Sequence, residues 1–164
     1  MFNRILLAID ETDSADEAVC YTTALARQTG ATVRVVHVNE LLVGGRGVAV
    51  KTELEAMDVV DRAVARFRSA GVDADGVHFL ADCFTTPVRI AEAALEWGAD
   101  VTVFGSHRRR WLSRLAGRGL RERVIALSGL PTLVAPAPLK VSRNLDLAEL
   151  AEPVEVAAAA SSLS

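Results

Sequence analysis

A run of β-branched residues closes on Gly105, and the loop beyond it carries Arg108, Arg109, Arg110, Arg114 and Arg118 before a helical pattern resumes near Gly119. Gly105 and Ser106 open that loop, and His107 leaves the strand end beside them. The chemistry open to these residues is anion binding. Backbone N–H groups at a helix N-terminus, with glycine admitting close approach, attract phosphate. A guanidinium adds a planar two-donor fork. Arg118 falls near the helix start, where the macrodipole disfavours a cation by about 0.3–1 kcal/mol, a penalty that a bound anion reverses. Arg108 and Arg118 are therefore the residues expected to meet a phosphate or an acidic group. The competing reading is a solvated basic face, and Trp111 fits base stacking, a dimer contact or a loop anchor equally well.

A second candidate is Asp10, the first of the polar residues Asp10, Glu11, Thr12, Asp13 and Ser14 between a strand and a helix. An acid there either meets a ligand or caps the helix. Catalytic arrangements are missing from the sequence. There is no Ser-His-Asp order and no Gly-x-Ser-x-Gly elbow, and the first strand-to-helix turn lacks the Gly-x-Gly-x-x-Gly of a dinucleotide dehydrogenase. Cys20 and Cys83 are too far apart for a Cys-x-x-Cys motif, and His107 has no cysteine or histidine near it, so no metal site is expected. His37 and His78 fall on strands and read as core or edge residues. The reading leans away from an enzyme.

Alternating elements must position these groups. Residues 5–9 form a continuous apolar strand, and Ser14 with Glu17 has capping-box spacing ahead of a helix bearing Ala18, Tyr21 and Leu25 and ending at Gly30. A strand over 32–38 follows, and 41–50, with Gly44, Gly45 and Gly47, reads as a loop over the sheet edge. Leu54, Met57, Val60, Val64 and Phe67 recur at helical spacing and predict an amphipathic helix closed by Gly71. After a short strand at 77–80, Thr86 is placed as the cap and Pro87 at the first position of a helix ending at Gly98. A strand over 99–104, a helix over 120–127 and a strand over 131–135 complete the pattern. Such alternation predicts an α/β fold, a three-layer doubly wound parallel sheet with right-handed crossovers. Ligands on such sheets bind beyond the strand C-termini at the switch point.

Composition agrees: 51% of the 164 residues are hydrophobic and 24% charged, the balance of an ordinary globular domain. The net charge of −3 hides an asymmetry, since 105–123 holds seven arginines and one glutamate, net +6, leaving −9 elsewhere. One domain over 1–138 is expected, with 139–164 as a flexible tail in which Leu145, Leu147 and Leu150 make at most one amphipathic turn. With no signal-peptide pattern and no apolar window near the ~20 residues of a membrane span, a cytoplasmic location is expected, with no membrane partner. Nucleic acid is not indicated.

The opening strand ending in Asp10, the strand end Val36-His37-Val38, Thr86-Pro87, the turn Gly98-Ala99-Asp100, the strand end Val103-Phe104-Gly105-Ser106-His107 and the helix segment Glu122-Arg123-Val124 resemble, in order and spacing, the universal stress protein family. The resemblance covers residue 2 to about 136. It implies five strands in the order 3-2-1-4-5, a homodimer through the last strand, 131–135, and a role in stress regulation. The ATP-binding branch carries Gly-x2-Gly-x9-Gly-(Ser/Thr) after strand four. Aligned on this chain, its positions are Gly105, Arg108, Arg118 and Gly119, so two of three glycines are arginine. A Cβ at such positions hinders close approach of backbone to phosphate. The resemblance further implies Asp10 as the ribose-contacting acid and Val38 as the residue whose backbone meets adenine. Two functions stay open: a regulatory or adaptor protein whose site for ATP or another adenine nucleotide is altered, weak or lost, and a true ATP/AMP binder using Arg108 and Arg118. A third, a phosphorylation receiver with Asp82 as acceptor, is disfavoured because 72 residues from Asp10 to Asp82 exceed the usual span of about 45 for two strand-helix units.

Overall fold

A computed structural model of the chain describes residues 1–10, 14–42, 48–49, 51–106 and 119–136. The first strand, β1 (Arg4–Ile9), is exposed at Arg4 and buried over its other five residues, with Ile5, Leu6 and Leu7 at zero exposure. Each such side chain contributes about 1.5–3 kcal/mol when fully removed from water. After α1 (Ser14–Thr29) come β2 (Thr32–Leu42), β3 (Val48–Ala49), α2 (Glu53–Ser69), β4 (Ala74–Ala81), α3 (Thr86–Trp97), β5 (Val101–Phe104), α4 (Leu120–Ser128) and β6 (Thr132–Val134). The parallel strands lie in the order β4-β2-β1-β5-β6. This is the expected 3-2-1-4-5, with one addition: β3 pairs antiparallel with the end of β2.

Strand alternation divides the core in two. Ile5, Leu7, Val33, Val35, Val101 and Val103 pack with Ala18, Val60, Val64 and Phe67 of α1 and α2. Leu6, Ala8, Val36 and Phe104 pack with Ile90, Ala94 and Val124 of α3 and α4 on the other face. The helices therefore cover both faces, as parallel strands that are apolar on each side require.

Several boundaries differ from the sequence reading. β2 overshoots its neighbours to Leu42, and residues expected to be loop return as β3. The Asn39 amide fastens this excursion, donating to the Lys51 carbonyl at 2.8 Å and accepting from the Lys51 N–H at 3.1 Å. On α2, Leu54 is 77% and Met57 42% exposed, while Ala56, Val59 and Ala63 join Val60, Val64 and Phe67 on the buried face. At about 100° per residue, Leu54 lies too far around the helix from Val60 to reach the sheet. A capping box that the sequence reading did not single out starts this helix: Glu55 N–H donates to Thr52 Oγ1 at 3.3 Å and Thr52 N–H to Glu55 Oε2 at 2.9 Å. β4 begins at Ala74, ahead of the expected 77, because Gly76 permits tight helix packing and Asp75 pairs with Arg34 of β2. The cap of α3 is Thr85, so Thr86 moves into the helix. Gly30, Gly71, Gly98 and Gly129 all have positive φ at helix ends, where a Cβ would be strained. The expected Ser14–Glu17 box and the tail 139–164 lie outside the described residues or side chains.

Candidate functional site

β1 has β2 on one side and β5 on the other. The helix after β1 covers one face and the helix after β5 the opposite face, so the two connections part at the C-terminal ends of β1 and β5. This is the switch point, where a crevice opens. Register brings the expected groups together there. Ile9 pairs with His37, so Asp10 and Val38 come next at the same level, and Ala8 pairs with Phe104, so Gly105 comes next level with Ile9, one residue short of Asp10 in a staggered row at the same rim. With strands about 4.8 Å apart, the row spans about 10 Å.

Asp10 is half-buried, as are Gly105 and Ser106. Val38 packs its side chain against the α3 and α4 face, leaving its backbone as the part that meets the rim. His37 is 2% exposed, with Nδ1 at 3.2 Å from the Ile9 carbonyl oxygen. On the far side, α4 starts at Gly119, an extended N-cap that has no side chain to accept from the first-turn N–H groups. A Cβ there would stand 2.3 Å from Glu122 Oε2. His107, Arg108 and Arg118 lie outside the described residues, as does Trp111.

Two arginines that the sequence reading did not place in the site are structural neighbours of it. Arg121 donates from its guanidinium to the Gly105 carbonyl, and Arg123 donates from Nη2 to the Phe84 carbonyl at 2.8 Å. The first turn of α4 is thereby tied to the end of β5 and to the segment before α3. A carbonyl acceptor offsets the unfavourable position of a cation near a helix N-terminus. The signal was in the sequence: arginines in a first turn call for such a partner.

Asp82 does other work than a phosphoacceptor. Its Oδ1 accepts from Phe84 N–H at 2.9 Å, Thr85 N–H at 2.8 Å and Thr85 Oγ1 at 2.9 Å. The Thr85 backbone bond, then its hydroxyl and the Phe84 bond, hold this carboxyl below the ordinary aspartate value. It follows β4, with β2 standing between that strand and β1, so it does not adjoin Asp10. Among the described residues, no group of three or more His, Cys, Asp or Glu could hold a metal ion. No described helix is long and apolar enough to cross a membrane.

The fold and crevice define an open-sheet α/β protein of the type that holds ligands at its switch point. A model of the universal stress protein family matches residues 1–136, and the chain belongs to that family. No curated protein matches it. It is similar in structure to a universal stress protein from Archaeoglobus fulgidus, at 27% identity and a TM-score of 0.60 over 83% of this chain and 95% of that one. A universal stress protein family member from Burkholderia pseudomallei gives 25% and 0.62 over 82% and 96%. An Archaeoglobus fulgidus universal stress protein in complex with dAMP gives 25% and 0.60 over 82% and 98%.

Proposed function

We propose that this is a regulatory or adaptor protein, acting in the cytoplasm, whose crevice takes an adenine nucleotide weakly at an altered phosphate end. The observation that carries the reading is the row Asp10, Val38 and Gly105 on adjacent strands, together with the similarity to a relative in complex with dAMP. In this reading Asp10 accepts from the ribose hydroxyls and the Val38 backbone meets the base. Gly105, Ser106 and Gly119 flank the phosphates, and His107, Arg108 and Arg118 supply charge in place of the loop glycines. The alteration is argued from sequence, because arginine carries a Cβ where the ATP-binding branch has none. No metal is required.

A stronger ATP/AMP site built on Arg108 and Arg118 is the second reading, favoured by the side-chain-free cap at Gly119. Calorimetric titration with AMP, ADP and ATP separates the two. Weak, saturable binding lost in Asp10→Ala supports the first, and tight binding lost in an Arg108→Ala, Arg118→Ala double variant supports the second. No heat up to millimolar nucleotide overturns both. We further propose a homodimer through β6, which ends the parallel order and has Val134 43% exposed.

A further inference from the structure

We propose that His37 is a positioning residue for the crevice: its imidazole holds the last carbonyl of β1 and so sets Asp10 against Val38. The inference rests on the adenine-nucleotide reading above. His37 is 2% exposed, on the same sheet face as Val33 and Val35, where an apolar side chain would fill the space without a polar atom to satisfy. A buried imidazole needs a partner, and it has the Ile9 carbonyl, 3.2 Å from Nδ1. A carbonyl oxygen only accepts, so Nδ1 carries the proton and donates.

The position of that bond gives it consequence. Ile9 and His37 are the final register pair between β1 and β2, and β1 ends there while β2 continues to Leu42. Past this pair β1 leaves the sheet at Asp10, while Val38 stays paired with Phe79 of β4. Asp10 directly follows Ile9 and Val38 directly follows His37, so the His37 to Ile9 bond acts on the carbonyl immediately before Asp10, beside the two expected nucleotide contacts. His78, the partner of His37 in register on β4, flanks it on the side away from β1.

The test uses the full chain and AMP as the probe, with His37→Leu, His37→Asn and thermal unfolding of each. Asparagine places an amide N–H at the same branch point as Nδ1. Loss of the bond in His37→Leu is expected to weaken AMP binding about five- to tenfold, and His37→Asn to recover affinity to within about twofold of the parent. A filling role alone would not distinguish these variants in that direction. Parental affinity in a folded His37→Leu, or no recovery in a folded His37→Asn, overturns the inference and leaves the function standing. Absence of AMP binding to the parent protein overturns both. The ¹⁵N signature of the His37 ring in the parent protein decides independently of any variant: protonated Nδ1 is expected, and protonated Nε2 overturns the inference.

Discussion

Gly76 of β4 lies so close to Val60 of α2 that a Cβ on the glycine would stand 2.3 Å from Val60 Cγ1, with Val64 Cγ2 at 3.1 Å and the Val35 carbonyl at 3.2 Å. The helix thus rests directly on strand backbone. Gly76→Ala is expected to destabilise the fold by about 1–3 kcal/mol through overpacking, measured by urea unfolding. Adding Val60→Ala to it should cost less than the sum of the two single changes; strict additivity would count against the contact.

The Arg123 bond to the Phe84 carbonyl joins α4 to the segment ahead of α3. Arg123→Ala is expected to cost about 1–2 kcal/mol, as for a hydrogen bond to a charged donor. Amide exchange should quicken in both segments together, whereas acceleration confined to α4 would show that the link carries little.

Asp100 accepts from Asn3 N–H at 2.6 Å and Arg4 N–H at 2.9 Å, and these bonds, Asn3 first, hold its carboxyl below the ordinary aspartate value. Asp82 is lowered in the same direction. A carboxyl with a depressed folded value stabilises the native state at pH above its unfolded value and loses that contribution as pH falls through the folded one. Stability should therefore be level from neutrality down to about pH 4 and fall below it. Melting temperature against pH should fall less steeply in Asp100→Asn than in the parent, and identical slopes would remove Asp100 from the account.

Trp97, at the end of α3, has Arg34 over its ring at 5.0 Å and Arg4 at 5.9 Å. Arg34 also forks onto Asp75 across two strands, and Arg4 donates to the Trp97 carbonyl at 2.8 Å. Trp97→Leu is expected to lose about 1–2 kcal/mol beyond its packing, from two cation–π contacts at partly exposed positions. A double-mutant cycle with Arg34→Ala measures one of them, and a coupling near zero would refute it.

Val134→Pro removes a donor from β6 and forces a kink in an edge strand. If β6 joins two copies, light scattering should report a monomer for the variant and a dimer for the parent. An unchanged dimer mass places the interface elsewhere.

Sequence periodicity located the parallel strands and the four helices because buried strands leave apolar runs and helices leave a 3.6-residue stripe. It misjudged one face of α2, where Leu54 lies off the buried stripe by angle, Met57 only borders it, and alanines took the core. It missed β3 because three glycines suggested a loop, and because the Asn39 clamp on Lys51 joins residues twelve apart. Asp10 and Gly105 were legible from residue type and place and Val38 from resemblance, and register puts the three at one rim. His37 read as a core or edge residue and is 2% exposed, but its contact with Ile9 and those of Arg121 and Arg123 were not foreseen, because the partners are backbone carbonyls, which no side-chain motif marks.

The tie of Asp100, Arg4, Trp97, Arg34 and Asp75 sits where the strands begin, at the end of the sheet away from the crevice. Its bearing is on descent. A chain anchored at one end can accept new residues at the other without losing its shape. The frame and the rim are thereby free to change separately.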